Sequence, residues 1–353
     1  MNIDTKQLLT ELCKIPTVSG FEARCAEALD ALALPYFDEV RHTPVGNHIY
    51  IKRCGKPGAK KVLLDAHFDE IGFIVSGVEP AKKDGGDDLT GYLRFVPIGG
   101  VDRRLLSSAE VTIWGKKPIP GVITSTPPHL QKSGEGDRLP DYDKLFIETG
   151  YTVKELRELA PVGTPITFAP RVVELKNGRI ASKALDDKAC VAAIIEAAAM
   201  LEPGKFDCDI YAVFSAMEET GGAGAVTATF GVQPDLAIAL DVCFARGPDT
   251  PRQKAAAMGE GPAISISLAT DRALTQRIIK FAASKNLKLQ KLIEARRTGT
   301  NGDAIHLTRE GVPVAVISIP IRYMHSCTEV INPSDVRTTA QLVATFIREG
   351  GAM

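Results

Sequence analysis

Five residues that can bind metal ions or transfer protons stand beside segments of buried type in this sequence. His67, Glu219, Asp241 and His325 each come at or just after the end of an apolar run with the composition of a strand. Asp186 stands at the start of an Ala-rich helical segment. Because the carboxyl ends of parallel strands meet at one edge of a sheet, we expect these side chains to lie close together. Two imidazoles and three carboxylates without a thiolate suit Zn²⁺, Co²⁺ or Mn²⁺.

Five such side chains suffice for two metal ions if one carboxylate bridges them. Asp186 is the most natural bridge, because it is short, stands at a helix start and is followed by Asp187. Glu218 is then free to act as a general base toward a water molecule whose pKa the metals lower to about 7. Asp69 follows His67 by two residues, and we expect it to accept the second imidazole N–H and fix the tautomer.

Each of these features also has a purely structural explanation. A histidine at a strand end is more often structural than a ligand. An Asp-Asp pair before an Ala-rich helix is usually a cap, and an adjacent Glu pair usually lies in a solvated loop. The combination at one sheet edge, rather than any single residue, favours a metal site. We interpret His42, His48, His129 and His306 as structural, because the sequence shows no partner for them.

The order of elements predicts an α/β protein with a mixed, largely parallel sheet flanked by helices. Helical spacing over residues 4–33 precedes the first buried strand, and a helix over residues 333–348 closes the chain. Within residues 72–169, short strand candidates alternate with Gly- and Pro-rich turns, which indicates a small β-barrel or sandwich. We therefore expect a catalytic domain of residues 1–71 and 170–353, interrupted by an inserted β-barrel domain.

The composition excludes several classes of partner. The chain has 42 basic and 43 acidic residues without a Lys/Arg run, so nucleic acid and anionic membranes are poor candidates. A small molecule or a peptide fits better. The seven cysteines are an odd number without CxxC spacing, and no segment reaches the ~20 apolar residues of a membrane span. With no leader pattern at the N-terminus, we expect a cytoplasmic protein with free thiols.

The sequence resembles the tetrahedral aminopeptidases, a family of dinuclear metallopeptidases also called glutamyl or deblocking aminopeptidases, some of whose members carry the name cellulase M. The matching motifs are collinear over nearly the whole chain. They are Asp65-Ala-His-Phe-Asp-Glu-Ile-Gly72, Ala184-Leu-Asp-Asp-Lys188, Glu218-Glu-Thr-Gly-Gly-Ala-Gly-Ala225, Leu240-Asp-Val242, Gly299-Thr-Asn-Gly-Asp-Ala304 and Arg322-Tyr-Met-His-Ser326.

The resemblance implies a metal-dependent aminopeptidase that hydrolyses oligopeptides from a free N-terminus. Glu218 would be the general base toward a metal-bridged water, and Asp69 would orient His67. Two divalent ions, Zn²⁺ or Co²⁺ with Mn²⁺ as the alternative, would be bound by two ligand pairs and one bridge. The pairs are His67 with Asp241 and Glu219 with His325, and the bridge is Asp186.

The resemblance also implies a homo-oligomer. The inserted segment would be the family's barrel-like dimerisation domain, and dimers would assemble into a hollow tetrahedral dodecamer. Two departures limit what is carried over: Glu260 stands where similar proteins are expected to have lysine, and the polar loop from Lys82 to Asp88 is longer than usual. We therefore transfer no preference for a particular N-terminal residue.

Two other functions are compatible with parts of the sequence. A glycoside hydrolase needs two carboxyl groups that flank the scissile bond about 5 to 9.5 Å apart, whereas neighbouring extended residues such as Glu218 and Glu219 point to opposite faces. A non-catalytic scaffold of the same fold would be favoured by a missing ligand, and none is missing. Assays on peptide and cellulose substrates distinguish these hypotheses.

Overall fold

The computed structural model describes residues 3–82, 86–87, 89–131, 138–248 and 250–352. The polar loop of residues 82–88 falls largely outside the described residues. The helices are α1 Thr5–Lys14, α2 Ala26–Ala33, α3 Val153–Leu159, α4 Leu185–Ala199, α5 Ala223–Val232, α6 Arg272–Ser284, α7 Asn301–His306 and α8 Pro333–Arg348. In this part of the chain no helix is long and apolar enough to cross a membrane.

The strands fall into two sheets. The first sheet contains β1 Glu39–His42, β2 His48–Lys52, β3 Lys60–His67, β10 Val173–Glu174, β11 Ile180–Ser182, β12 Cys208–Ser215, β13 Leu236–Phe244, β14 Ala263–Ser267, β15 Gln290–Glu294, β16 Val314–Arg322 and β17 Glu329–Ile331. The second contains β4 Gly72–Pro80, β5 Thr90–Ile98, β6 Glu110–Trp114, β7 Pro118–Ser125, β8 Leu145–Thr152 and β9 Pro165–Phe168.

The large sheet confirms the predicted mixed, largely parallel architecture. Its strand order is β1-β2-β12-β3-β13-β16-β17-β11-β10, with β14 joined to β16 and β15. The four central strands β12, β3, β13 and β16 are parallel to one another. Parallel strands are buried on both faces, which explains their continuous apolar runs. Their carboxyl ends therefore lie together at one edge.

Helix α4 packs against the centre of this sheet and also contacts α1 and α8. Every residue from Leu185 to Ala198 is buried, including the charged residues Asp186, Asp187, Lys188 and Glu196. The run of alanines permits close contact with β3 and β13. The start of α4, which carries Asp186 and Asp187, is thereby fixed at the carboxyl edge of the sheet. The backbone at these two residues is non-helical and their peptide bond is cis, so regular helix begins after the Asp-Asp pair.

The six strands of the second sheet form a closed antiparallel barrel in the order β4-β5-β8-β7-β6-β9. Its core contains Phe73, Leu93, Ile113 and Ile147, all fully buried. Closure pairs the edge strands with each other and leaves no free sheet edge. This finding confirms the expected barrel.

A short segment joins the large sheet to the barrel, and the glycine that follows it, Gly72, has no room for a side chain. Only four residues separate His67 at the end of β3 from Gly72 at the start of β4. A Cβ atom added to Gly72 would lie 2.6 Å from the carbonyl oxygen of Ile166 in β9. The close approach of β4 and β9 fixes the direction in which the chain leaves β3, and with it the position of His67.

Candidate metal centre

The register of the parallel strands brings the predicted site residues to one level. His67 is aligned with Ser215 at the end of β12. Asp65 is aligned with Ala239 of β13, so Asp241, two residues further on, lies at the level of His67. Glu219 follows β12, and His325 follows β16. The structure thus brings all five predicted ligands, including Asp186 at the start of α4, to the carboxyl edge of the sheet.

Asp186 lies between the two histidines. Its Oδ1 is 3.0 Å from Nε2 of His67, and its Oδ2 is 3.5 Å from Nε2 of His325. Glu219 Oε2 is also 3.5 Å from Nε2 of His325. Each oxygen of one carboxylate therefore faces a different imidazole, which is the arrangement expected of a bridging ligand.

The other ring nitrogen of each histidine is held by a backbone carbonyl. Nδ1–H of His67 donates to the carbonyl oxygen of Asp69 at 3.0 Å, and Nδ1–H of His325 donates to the carbonyl oxygen of Gly100 at 3.0 Å. These bonds set the tautomer and direct both Nε2 lone pairs at the carboxylates. Gly100 belongs to the barrel segment of the chain, so the barrel takes part in positioning a predicted ligand.

The carboxylate of Asp69 makes backbone contacts in addition to its expected approach to His67. Its Oδ1 is 3.5 Å from His67 Nδ1, a longer separation than that to the Asp69 carbonyl oxygen. Its two oxygens also accept the backbone N–H groups of Glu218 at 3.0 Å and Glu219 at 3.1 Å. Burial raises the pKa of Asp69, but contacts with His67 and the Glu218 N–H outweigh it and lower the pKa. Asp69 thus orients the two glutamates as well as the histidine.

Asp187 lies closer to the site than the sequence indicated. One ligand atom from each of His67, Asp187 and Asp241 forms a group whose members lie within 4.8 Å of one another. The same holds for one ligand atom from each of His67, Asp186 and Glu219. Asp187 is fully buried, and neither of its carboxylate oxygens has a hydrogen-bond partner among the described residues. A buried carboxylate without a partner is strongly unfavourable unless a cation balances it. The residues present therefore fit divalent metal ions.

The remaining carboxylates of the site are buried together and repel one another. Burial and then repulsion from Asp187 raise the pKa of Asp241 well above its ordinary value. Burial and then Asp186 raise the pKa of Glu219 to about 9, and burial also raises that of Glu218. Such shifts are typical of several carboxylates crowded into one dry site. A divalent cation would reverse them, because it favours the ionised form of every carboxylate around it.

Sequence reasoning missed Glu329 in β17. This residue is 2 % exposed, and its two carboxylate oxygens accept the N–H of His325 at 3.0 Å and the N–H of Asp186 at 3.0 Å. Burial, followed by repulsion from Asp186, raises its pKa well above the ordinary value. His325 has a left-handed backbone with φ of 63°, and the bond from Glu329 helps to hold it. The available signal was a glutamate directly before the apolar pair Val330-Ile331.

A cavity of about 460 Å³ opens beside these residues. It is lined by His67, Asp186, Glu218, Glu219, Asp241 and His325 and continues along the apolar residues at the end of β13 toward Glu294 at the end of β15. A substrate in this cavity would lie directly against the proposed ligands and the proposed base.

Comparison with known proteins places these residues in a family. A sequence model described as M42 glutamyl aminopeptidase matches residues 46–342. The lysyl aminopeptidase of Pyrococcus furiosus is 34% identical over 349 residues, which are 97% of this chain and 96% of that protein.

Solved structures agree. The aminopeptidase APDkam598 from the archaeon Desulfurococcus kamchatkensis superposes with a TM-score of 0.88 at 32% identity, covering 98% of this chain and 94% of that one. The TET1 peptidase of Pyrococcus horikoshii has a TM-score of 0.83 at 25% identity, with coverage of 98% and 99%. The chain belongs to the M42 glutamyl aminopeptidase family.

Proposed function

We propose that this protein is a dinuclear metalloaminopeptidase that removes residues one at a time from the free N-terminus of oligopeptides. His67 with Asp241 would hold one divalent ion, Glu219 with His325 the other, and Asp186 would bridge them. The observation that carries this proposal is the position of Asp186, whose two carboxylate oxygens face the two imidazoles at 3.0 and 3.5 Å. The nitrogen and carboxylate donors suit Zn²⁺ or Co²⁺, with Mn²⁺ as the alternative.

The catalytic group of the chain itself would be Glu218. When bound, the two ions would supply a water molecule of lowered pKa and polarise the scissile carbonyl. Glu218 lines the same cavity, and its backbone N–H is held by Asp69 at 3.0 Å. Its carboxylate would accept a proton from the attacking water and deliver it to the leaving amine.

We do not favour a glycoside hydrolase. Glu218 and Glu219 are consecutive, and their backbones are bound by the same carboxylate of Asp69. Glu219 also lies against His325, where a metal ligand rather than a glycosidase carboxyl group is expected. This arrangement leaves no pair of free carboxyl groups on opposite sides of a sugar ring.

We also propose that the protein is a homo-oligomer in which the barrel of residues 72–169 forms the dimer contacts, and that dimers assemble into a tetrahedral dodecamer. The TET1 peptidase of P. horikoshii can assemble into a tetrahedron or a large octahedral shell. On this chain, Val96, Leu105 and Val122 of the barrel are 43%, 44% and 41% exposed. Such apolar residues are suited to burial against a second copy.

The test of this function compares the tripeptide Ala-Ala-Phe with its N-acetylated form. We expect the free peptide to lose its first residue and the acetylated peptide to stay intact, because acetylation removes the charge and lone pair that would position the amine. Exhaustive chelation should abolish cleavage, and Zn²⁺ or Co²⁺ should restore it. Equal cleavage of both peptides, full activity in verified metal-free protein, or Glu218-dependent release of reducing ends from carboxymethyl-cellulose would overturn the proposal.

A further inference from the structure

The cavity beside the metal centre has a second part that the proposed chemistry does not use. Away from the ligands its walls combine residues with hydroxyl groups, Ser265, Thr298, Thr300 and Ser318, with apolar residues, which are Val242, Cys243 and Phe244 of β13, Leu292 of β15, and Met324. The apolar residues favour the burial of hydrocarbon from a substrate side chain.

Glu294 also lines this cavity, at the end of β15. Its Oε2 atom is buried and has no hydrogen-bond partner within the described ranges. Burial raises the pKa of Glu294, although the Ser265 hydroxyl opposes this rise. Glu294 is absent from both groups of atoms that could hold a metal ion. The pocket therefore contains a carboxylate oxygen that is removed from water and has no hydrogen-bond partner among the residues that the structure describes.

We propose that this pocket receives the side chain of the substrate's N-terminal residue and that Glu294 makes it select lysine and arginine. The inference rests on the proposed aminopeptidase function and adds the substrate class. Lysine and arginine have a hydrocarbon stem that can pack against the apolar walls and a cationic end that can donate to the Glu294 carboxylate. A charge-assisted hydrogen bond there would satisfy the oxygen that is now without a partner.

Lys254 is the competing residue, because it lines the same cavity and would attract an acidic side chain. It belongs to a short 3-10 helix, Arg252–Lys254, and is exposed. Its ammonium group is therefore hydrated and does not require a ligand. The Glu294 oxygen is buried, so a matching cation has a larger effect there. The difference in exposure is the reason for expecting a basic rather than an acidic preference.

The test measures kcat/KM of the metal-loaded full-length protein on pairs of p-nitroanilides that differ in charge and little in shape. Lysyl is compared with norleucyl, and arginyl with citrullyl. We expect each cationic substrate to be preferred by about 10- to 100-fold, the factor that a hydrogen bond to a charged group contributes. Glu294→Gln should abolish this preference by lowering kcat/KM on the lysyl and arginyl substrates toward the values measured on their neutral counterparts. Glu310→Gln, at an exposed glutamate, is the matched control and should keep the preference.

The outcomes separate this inference from the proposed function. Equal rates on lysyl and norleucyl substrates, or a preference that survives Glu294→Gln, would overturn the selectivity while leaving the aminopeptidase intact. A preference for a glutamyl substrate that disappears in Lys254→Gln would overturn the basic selectivity and would show that the pocket selects acidic side chains. Failure of the wild-type protein to cleave any of these substrates would overturn both.

Discussion

Lys183 and Glu70 form an ion pair in which both side chains are almost completely buried. Nζ of Lys183 lies 2.8 and 2.6 Å from the two carboxylate oxygens of Glu70, and the side chains are 1% and 2% exposed. Glu70 follows His67 in the segment that leaves β3, and Lys183 precedes Asp186. The pair therefore joins the two segments that place the predicted bridge against one of the predicted histidine ligands.

Removing one charge of this pair should destabilise the protein more than removing both charges. Lys183→Met leaves the Glu70 carboxylate buried and unpaired, which we expect to cost about 3–5 kcal/mol. In Lys183→Met/Glu70→Gln neither member of the pair is left charged, and the amide oxygen can still accept the N–H of Thr17, which lies 3.0 Å from Glu70 Oε1 in the wild type. The double variant should therefore recover part of the loss.

Urea unfolding at fixed protein and metal concentration measures this difference. The single variant should also bind metal less tightly, because His67 and Asp186 are no longer held together. A double variant as unstable as the single one would show that the pair acts through side-chain packing and not through charge.

The strands and their ends could be predicted because parallel strands leave a direct signal in the sequence. A long apolar run that stops at a histidine or a carboxylate predicts a buried strand. It also predicts the edge of the sheet at which the last residue of that strand lies. The geometry of His67, Asp241 and Asp186 follows from that rule and from the register of β3 and β13. The closed barrel was likewise indicated by the alternation of short strands and turns.

What the sequence could not show depends on contacts between distant segments. β17 is only three residues long, and its glutamate becomes a site residue only when β17 pairs with β11 and β16. The sequence also showed no partner for His42 and His48, although the structure gives them one in each other. The β1–β2 register places them opposite each other, with Nδ1 atoms 2.8 Å apart. Their separation of six residues around a turn was the missed signal.

The two adjacent glutamates should respond differently to substitution. Glu218→Gln keeps the shape of the side chain and removes its basicity, so we expect turnover to fall by about 10² to 10⁴ while metal content stays normal. Glu219→Gln removes a ligand that faces His325, so metal content should fall together with the rate. Metal analysis of the two purified variants beside a peptide assay separates the roles. Loss of metal in Glu218→Gln with retention in Glu219→Gln would show that they are reversed.

Glu329→Gln should weaken metal binding without touching a ligand side chain. An amide has one acceptor oxygen where the carboxylate has two, so the variant can accept only one of the N–H groups of Asp186 and His325. We expect metal affinity to fall by about 10- to 100-fold, as for other groups that orient metal ligands. Titration of metal-free protein with Zn²⁺ or Co²⁺ measures the change, and saturating metal should restore most of the activity. An unchanged metal affinity would show that Glu329 contributes only to the stability of the fold.

Removal of the barrel should reduce the size of the assembly. Phe73 of β4 and Ile166 of β9 are paired neighbours, so the chain enters and leaves the barrel at adjacent points and a short Gly-Ser linker can replace residues 72–169. We expect the shortened chain to keep its α/β core and to form a smaller particle by light scattering. Its activity should fall as well, because Gly100 no longer holds His325. A particle with an unchanged number of subunits would place the main contacts in the α/β domain.

The last prediction concerns Glu22, a buried carboxylate that holds the loop before Glu218. Its Oε1 accepts the N–H groups of Gly20 and Met217, each at 2.9 Å. Burial, followed by repulsion from Asp69, raises its pKa from 4.5 to about 7. Because the folded-state pKa lies above the unfolded value, the stability contributed by protonated Glu22 is complete below pH 4.5. It is lost as the pH rises through about 7.

Glu22→Gln keeps the acceptor oxygen and removes the charge, so its stability relative to the wild type should increase with pH. By linkage the difference should grow by roughly 2 kcal/mol between about pH 5.5 and about pH 8. Urea unfolding of both metal-loaded proteins across this range measures it, with Glu310→Gln as an exposed control whose difference stays flat. A flat difference for Glu22→Gln would mean that the carboxylate is already ionised at the lower pH, and that the N–H groups of Gly20 and Met217 outweigh its burial.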